Sequence, residues 1–300
     1  MASVSDLRAF LRLTRPKFLF GGFAGFALGA AVARFDGAPL TWLAYLHGQV
    51  MVTAFHLMVH YSNDYFDRAG DAFGRRTPWS GGSGALVDGS VHSRVALVAA
   101  TLSAAAGLTA AAAFSLEHRF AVAALGVAIG VLAWAYSAPP LRLAARGWGE
   151  LDGALVVAVL VPLVGYATFS PALTGHALLA ALPSAAAMLV MMLCVEYPDV
   201  EADARVGKRN LVVRAGRGPA RALVYLAVGG VYVATALAIV LGATPALGLF
   251  AGLTLPVASS LVLRLAQGRY GEPAADGDVA ARGVALFVAT QVGSALAYTI

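Results

Sequence analysis

The sequence has few charged residues and almost no cysteine. Charged residues make up 12% of the 300 residues, about half of the roughly 25% typical of soluble proteins. Cys194 is the single cysteine, which excludes an internal disulfide and any metal site built from several cysteines. Cys194 lies at the end of an apolar run, so we expect it to be a small, buried hydrophobic residue. Hydrophobic residues make up 59% of the chain and the mean hydropathy is +0.76, so we expect a polytopic membrane protein.

Long apolar runs predict an all-α fold with nine transmembrane helices. A spanning helix requires roughly 20 predominantly apolar residues. The predicted spans are 17–34, 40–62, 94–114, 119–138, 152–170, 176–195, 220–241, 244–264 and 282–300. No low-complexity tract or flexible linker separates them, so we interpret residues 1–300 as one domain.

The charges are distributed very unevenly between the two sides of these spans. If the N-terminus is cytoplasmic, 19 of the 21 Lys and Arg residues lie on the cytoplasmic side, all except Arg34 and Arg119. This follows the positive-inside rule, so the basic balance reflects topology and gives no indication of nucleic-acid binding. Nine spans then place the C-terminus on the opposite side of the cell (inner) membrane. Fourteen of the 16 acidic residues share the cytoplasmic side, where we therefore expect the site.

The N-terminal segment is predicted to form a short helix on the cytoplasmic leaflet. Arg8, Arg12 and Arg15 fall on one helical face and apolar residues fall mostly on another. Residues 30–33 read AAVA, which is similar to a signal-peptidase site. We nevertheless expect the first helix to remain uncleaved, because small residues also serve helix packing.

Two acidic clusters stand at the ends of apolar helices. At 100° per residue, Asp67 lies 60° and Asp71 20° from Asp64 around a helix, and Asp203 lies 40° from Asp199. Charges are costly at membrane depth, so such residues indicate function. The alternative is that both clusters are solvated loops with acidic helix caps. This alternative is weakened because the two clusters occupy equivalent positions in the two halves of the chain.

The spacing of the clusters predicts an internal repeat. Asp64 and Asp199 lie 135 residues apart, each after the second helix of a group of four. This pattern indicates two parallel four-helix repeats plus one helix, with a site between the repeats. Opposed carboxylates without a histidine or cysteine cluster favour a hard, oxygen-binding cation such as Mg2+.

These motifs resemble those of a known family. The pattern Asn63-Asp64-x-x-Asp67-x-x-x-Asp71, with Asp199-x-x-x-Asp203, resembles the paired aspartate motifs of the UbiA superfamily of intramembrane prenyltransferases. YSAPPLRLAARGWGELD at 136–152 resembles the segment that follows the fourth helix in that superfamily. The resemblance implies nine helices around a central cavity and Mg2+ bridging a polyprenyl diphosphate. It also implies catalytic and metal-binding roles for Asp64, Asp67, Asp71, Asp199 and Asp203.

The implied reaction suggests further residues that bind substrate. Ionisation of an allylic diphosphate leaves a carbocation and a pyrophosphate whose charge requires stabilisation. Cationic side chains would clamp the diphosphate, an amide would add a neutral ligand, tyrosine rings would face the carbocation and histidine would contact an acceptor hydroxyl. The candidates are Asn63, Tyr65, His60, Arg75, Tyr136, Arg142, Lys208 and Arg209, with His56 and Arg76 as neighbours of the same kind.

Each of these residues also has a structural alternative. The cations could only set membrane topology, and the tyrosines could only anchor the interface. The histidines could pack between helices. Glu150 and Asp152 open the fifth span, where an N-terminal cap is the favoured interpretation. Glu196 and Glu201 flank the second motif and face partly away from Asp199, so we place neither among the metal ligands.

Two segments bear on the acceptor. TPWSGGSGAL at 77–86 predicts either an ordered loop over the diphosphate or a plain connector. RRTPWSGG lacks the Arg-Pro pair usual in the 4-hydroxybenzoate branch of the superfamily. EYPDVEADARVGKRNLVVRAG at 196–216 resembles the 1,4-dihydroxy-2-naphthoate polyprenyltransferases of menaquinone synthesis, although Asn210 stands where they usually have Thr.

We therefore expect Mg2+-dependent transfer of a polyprenyl group to an aromatic quinone precursor, with naphthoate as the first candidate acceptor. The expected partners are a polyprenyl diphosphate, a small aromatic acceptor and the bilayer. Prenylation of 4-hydroxybenzoate or another acceptor and an acceptor-free terpene cyclase are alternatives within the fold. A secondary transporter is the alternative outside the enzyme class, but it would need ionisable groups or broken helices near the midplane, and no span has Asp or Glu at its middle.

Overall fold

The computed structural model describes residues 4–74, 76–269 and 271–300. In these ranges the chain forms thirteen α-helices and no strand. They are α1 Val4–Thr14, α2 Pro16–Phe35, α3 Trp42–Asp71, α4 Ser93–Leu116, α5 Phe120–Ser137, α6 Gly149–Leu155, α7 Val161–Ala167, α8 Gly175–Glu196, α9 Val200–Arg205, α10 Leu211–Ala215, α11 Arg217–Val240, α12 Ala246–Ala266 and α13 Pro273–Ala297. A π-helical turn, Val156–Leu160, joins α6 to α7, and a 3-10 turn, Tyr197–Asp199, joins α8 to α9.

Eight helical segments of the described chain are long and apolar enough to cross a membrane. They are Leu7–Phe35, Ser93–Leu116, Phe120–Ser137, Gly149–Ala167, Gly175–Arg205, Arg217–Val240, Ala246–Ala266 and Pro273–Ala297. The count of nine is therefore not confirmed. The difference is α3, which has 30 residues but whose hydropathy is lowered by polar side chains such as His47, Gln49, His56 and His60.

Helix boundaries place the acidic motifs on different kinds of backbone. α3 continues through Asp71, so all three aspartates of the first motif lie on one continuous helix. In the second motif, Asp199 ends a 3-10 turn and Asp203 lies in α9. The last predicted span, 282–300, instead begins at Pro273, because proline is pre-organised for a first helical turn and Asp276 favours a helix N-terminus.

The long helices pack around two clusters of buried apolar side chains. α3 packs against α4 and α5, α8 against α11 and α13, and α2 against α7 and α13. One cluster includes Phe26, Phe55 and Phe114. The other includes Cys194, whose predicted burial is confirmed. The two-repeat layout stays a prediction. The packing of α4 against α3 has a counterpart in the packing of α11 against α8, as two repeats would require.

Glycines allow direct backbone contact between α2 and α7. A Cβ atom built on Gly29 would collide with the carbonyl oxygen of Pro162 and lie 2.6 Å from the backbone nitrogen of Tyr166. A Cβ atom on Gly165 would collide with the carbonyl oxygen of Phe26. Small residues at such contacts are the usual means of close helix packing in membranes.

Hydrogen bonds join the helices at the end of the bundle far from the acidic motifs. Asp36, just after α2, accepts hydrogen bonds from Tyr166 Oη (2.8 Å) and Thr174 Oγ1 (2.9 Å), and its Oδ1 lies 2.7 Å from His176 Nδ1. Burial alone would raise the pKa of Asp36, but these hydrogen bonds outweigh it and the pKa is lowered. One carboxylate therefore links α2, α7 and α8.

We expect Gly29→Ala to destabilise the protein, because the added methyl group must push α2 away from α7. Overpacking of this kind costs about 1–3 kcal/mol. Gly229→Ala in α11 is the matched control, since its Cβ atom would have no neighbour within 4 Å. Thermal unfolding in detergent should show a lower midpoint for Gly29→Ala and an unchanged or higher midpoint for Gly229→Ala. Equal midpoints would contradict the contact.

Candidate functional site

A lysine lies between the two acidic motifs. Lys208 Nζ is 2.9 Å from Asp67 Oδ2 and 3.1 Å from Asp203 Oδ1. Burial alone would lower the pKa of Lys208, but the adjacent carboxylates of Asp67 and Asp203 outweigh it and the net shift is upward. The ammonium group therefore stays charged, and the two motifs face each other across it.

An arginine from the N-terminal segment enters the same cluster. Arg15 separates α1 from α2, has a positive φ of 48° and forms an ion pair with Asp64. Positive φ is uncommon for a non-glycine residue, and here it directs the side chain into the site. α1 is held beside α3 because His60 Nδ1 lies 2.9 Å from the carbonyl oxygen of Thr14.

The glycine-rich loop contacts both motifs. Gly81 N donates to Asp199 Oδ2 over 3.1 Å, and Ser83 donates to Asp64 through its backbone nitrogen (3.3 Å) and its hydroxyl. Gly82 has a φ of +67°, and a Cβ atom there would collide with the carboxylate of Asp71. Two features favour glycine at this position. The positive φ is strained for other residues, and the carboxylate of Asp71 leaves no space for a side chain. The loop is thus bonded to both motifs, and its predicted position over a diphosphate stays a prediction.

The motifs, Lys208 and the loop enclose a polar cavity of about 140 Å³. We call it the acidic cavity. Its lining includes Asp67, Asp71, Asp199, Asp203 and Glu196. Asp199 Oδ1 is buried and has no hydrogen-bond partner among the described residues. Asn63, which also lines the cavity, donates to Asp67 Oδ2 (2.8 Å) and Ser137 Oγ (3.0 Å).

The chemistry of the acidic cavity fits a hard cation. In the described part of the chain, no group of three carboxylate, imidazole or thiol side chains is close enough to hold a metal ion. Arg15 and Lys208 instead neutralise Asp64, Asp67 and Asp203. The acidic residues of its lining nevertheless offer carboxylate oxygens as metal ligands, and Asp199 Oδ1 has no hydrogen-bond partner among the described residues. Such a donor set suits Mg2+, which binds one or two carboxylates and keeps other positions for water and phosphate.

An apolar cavity of about 240 Å³ adjoins the acidic cavity. Valines, methionines and phenylalanines from α2, α3, the π-helical turn, α8 and α13 dominate its lining, together with the polar residues His56, His60, Tyr136 and Asp152. Lys17 also lines it and lies over the ring of Trp79 at 4.6 Å. The two cavities share six lining residues, namely Arg15, Asn63, Trp79, Tyr136, Met192 and Val195.

Other predicted residues lie farther from these cavities. Arg142 and Arg209 are exposed and line neither cavity. Tyr65 packs against Phe66, and Arg76 donates to the carbonyl oxygen of Gly84 over 3.0 Å. Arg75 lies outside the described residues. Their roles stay predictions.

Sequence reasoning missed several residues of the site. Helical spacing predicts Arg15 only as part of a surface helix and Glu196 as facing away from the second motif, whereas both line the acidic cavity. Ser83 and Trp79 were considered only as part of a loop. Arg15 directly precedes Pro16, and a residue before proline usually ends a helix. This signal indicates that Arg15 does not continue α1 and need not share its surface face.

We expect Lys208→Met to lower the stability of the metal-free protein, because Asp67 and Asp203 lose their shared partner. Leaving buried polar partners unsatisfied costs about 1–3 kcal/mol. Arg209→Met is the matched control, since it removes an adjacent but exposed cation. Thermal unfolding with EDTA should show a clearly lower midpoint for Lys208→Met only. Equal effects of the two substitutions would show that Lys208 has no special role.

Comparisons with known proteins agree with this architecture. A UbiA homolog from Archaeoglobus fulgidus, solved bound to GPP and Mg2+, matches with a TM-score of 0.67 and 19% identity, covering 97% of this chain and 100% of that chain. An apo UbiA homolog from Aeropyrum pernix K1 matches with a TM-score of 0.61 and 18% identity, covering 88% and 96%. At these identities the likeness concerns the fold.

The sequence comparisons identify the family. A 2-carboxy-1,4-naphthoquinone phytyltransferase from Synechocystis sp. is 27% identical over 143 residues, which are 48% of this chain and 46% of that relative. The match thus spans about half the length of this curated relative. Residues 19–290 match the UbiA prenyltransferase family. Eight helices in the described ranges are long and apolar enough to span a membrane, and this integral membrane protein belongs to the UbiA prenyltransferase family.

Proposed function

We propose that the protein transfers a polyprenyl group from an isoprenoid diphosphate to an aromatic quinone precursor in a Mg2+-dependent reaction. The adjoining cavities carry this proposal. One is lined by carboxylates and cations, the other is mainly apolar, and six residues line both. An amphipathic substrate with an anionic head and a hydrocarbon tail matches this pair of environments.

The acidic cavity would bind the diphosphate. Asp64, Asp67, Asp71, Asp199 and Asp203 would hold Mg2+, which when bound stabilises negative charge on a leaving diphosphate. Arg15 and Lys208 place permanent positive charge beside the same carboxylates, and such cations form strong charge-assisted hydrogen bonds to phosphate oxygens. The backbone of the glycine-rich loop positions Asp64 and Asp199 through Ser83 and Gly81.

The apolar cavity would hold the isoprenoid chain and the acceptor. Tyr136 lines both cavities, so its ring lies near the boundary where an allylic cation would form, and aromatic rings stabilise cations. The walls next to it are apolar and include Val157, Met188 and Phe287. They exclude water from the region in which a carbocation would otherwise be captured as an alcohol.

We infer that the acceptor is of the 1,4-dihydroxy-2-naphthoate type used in menaquinone synthesis. The second motif and its following segment resemble that branch, and the curated relative is named for a carboxylated naphthoquinone. 4-Hydroxybenzoate remains the alternative acceptor. A cyclase is the alternative in which the same two cavities act without an acceptor. A transporter has less support, because the acidic side chains gather at one end of the bundle.

We propose that α3 is a further spanning helix, which makes nine. α3 has 30 residues, enough for about 45 Å of helix, and it packs between α4, α5 and α2. By the positive-inside rule, the N-terminus and the acidic cavity would then lie at the cytoplasmic face of the cell (inner) membrane, with the C-terminus opposite. Two parallel four-helix repeats would flank the cavities.

We expect the purified protein with Mg2+ and geranylgeranyl diphosphate to prenylate 1,4-dihydroxy-2-naphthoate. Asp64→Ala and Asp199→Ala should each reduce the rate by at least about 100-fold, because each removes part of the charge that holds the leaving group. Product is measured by chromatography and mass spectrometry in three arms, with naphthoate, with 4-hydroxybenzoate and without acceptor. EDTA should abolish the product.

The arms separate the alternatives. Product with 4-hydroxybenzoate alone would change the acceptor and keep the reaction, and a cyclised hydrocarbon without acceptor would identify a cyclase. Folded protein that neither forms product nor binds the diphosphate would contradict the enzyme proposal. Glu117→Ala, which removes a carboxylate that is 54% exposed and lines neither cavity, is the control for the loss of one negative charge in Asp64→Ala.

We expect Gly82→Ala to reduce prenyl transfer by about 10- to 100-fold, because a displaced catalytic group costs rate on that scale. The added methyl group would push the carboxylate of Asp71 away from the acidic cavity. Gly89→Ala is the matched control, since Gly89 has a similar φ of +74° but no neighbour within 4 Å of its Cβ position. Equal losses in the two variants would attribute the effect to backbone strain alone.

A further inference from the structure

Asp152 is an acidic residue in the lining of the apolar cavity. It lies in the first turn of α6 and lines the apolar cavity but not the acidic cavity. Its exposed fraction is 7%, and its Oδ1 has no hydrogen-bond partner in the ranges that the structure describes. Buried polar atoms without partners are rare, and each one calls for an explanation such as a functional role or a bound water or ion.

The alternative interpretation as a helix cap does not account for Asp152. Trp148 is the N-cap of α6 and receives no side-chain cap hydrogen bond. The neighbouring Glu150 has a structural partner, because its Oε1 accepts a hydrogen bond from Leu211 N over 2.6 Å. Asp152 has no equivalent bond among the described residues. A favourable position near the helix N-terminus explains why a carboxyl group is tolerated there, but not why it lines a cavity.

From this geometry we propose that Asp152 binds the aromatic acceptor by accepting a hydrogen bond from its hydroxyl group. This inference rests on the proposed function and names a subsite for it. The other polar residues of the apolar cavity are imidazoles, an amide, a phenol and the cations Arg15 and Lys17. Asp152 thus contributes the carboxyl group of that lining. A cavity that offers both a carboxyl group and cations suits a ligand that has a hydroxyl donor and an anionic group.

The chemistry of the ligand identifies which hydroxyl Asp152 would bind. In 1,4-dihydroxy-2-naphthoate, the 1-hydroxyl group is adjacent to the carboxylate and can bond to it internally. The 4-hydroxyl group has no internal partner and must find an acceptor when the ring leaves water. Asp152 supplies that acceptor, and the carboxylate end of the ligand is left for the cations. Asp152 is therefore a binding residue that selects acceptors with a free hydroxyl group.

The test measures binding rather than turnover. Calorimetry in detergent, under anaerobic conditions with Mg2+ and pyrophosphate, compares 1,4-dihydroxy-2-naphthoate with 1-hydroxy-2-naphthoate, which lacks only the 4-hydroxyl group. We expect the wild-type protein to prefer the first ligand by about 10- to 100-fold, since an unpaired buried polar group weakens binding on that scale. Asp152→Leu should reduce this preference to less than about 2-fold, and Asp152→Asn should keep part of it because the amide oxygen still accepts.

Ser184→Ala is the matched control. Ser184 is a fully buried residue of α8 whose Oγ also lacks a described partner, but it lies outside the lining of both cavities. Its substitution should leave the ratio of the two affinities unchanged. A merely structural role for Asp152 predicts that Asp152→Leu alters thermal stability and weakens both ligands equally.

The outcomes separate this inference from the proposed function. An unchanged ratio in Asp152→Leu, or a wild-type protein that binds neither naphthoate or does not distinguish them, would overturn the Asp152 subsite. Prenyl transfer is measured on the same preparations. A ratio that collapses in Asp152→Leu supports the subsite even if no prenylated product forms, and in that case only the proposed transfer reaction is overturned.

Discussion

The arrangement of this protein depends on the pairing of two fixed cations with an excess of carboxylates. Lys208 joins Asp67 to Asp203, and Arg15 binds Asp64. Without these cations, carboxylates drawn from α3 and α9 would repel each other at short range in a poorly hydrated space. The pairs therefore hold two distant parts of the chain together, and they leave Asp199 Oδ1 without a hydrogen-bond partner in the part of the chain that the structure describes. A site that is neutralised only in part retains affinity for further positive charge.

The surrounding elements each hold part of this cluster. The glycine-rich loop contacts the first motif through Ser83 and the second through Gly81. The N-terminal helix is fastened to α3 near His60, so the segment that brings Arg15 to the site is itself fixed by the helix that carries the first motif. The apolar cavity begins where these contacts end, and Tyr136 and Trp79 form part of the boundary.

The sequence predicts those features of the structure that depend on neighbouring residues along the chain. Hydropathy predicted the all-helical fold, and helical spacing placed the three aspartates of α3 on one helix. Properties that depend on tertiary contacts were not accessible in this way. The positive φ of Arg15 redirects its side chain away from the face on which spacing placed it. Asp152 was interpreted as a cap, because helix position does not reveal which neighbours surround a side chain. α3 is predicted as a spanning helix from its apolar residues, although polar side chains such as Gln49 and His60 lower its hydropathy.

The two ends of the bundle are held together by different kinds of contact. At one end, α2, α7 and α8 converge on Asp36 through hydrogen bonds to a tyrosine, a threonine and a histidine, and glycine backbones of α2 and α7 touch nearby. At the other end, ion pairs of Lys208 and Arg15 with aspartates join the motifs. The packing of α2, α7 and α8 around Asp36 therefore does not depend on the ion pairs that join the two motifs.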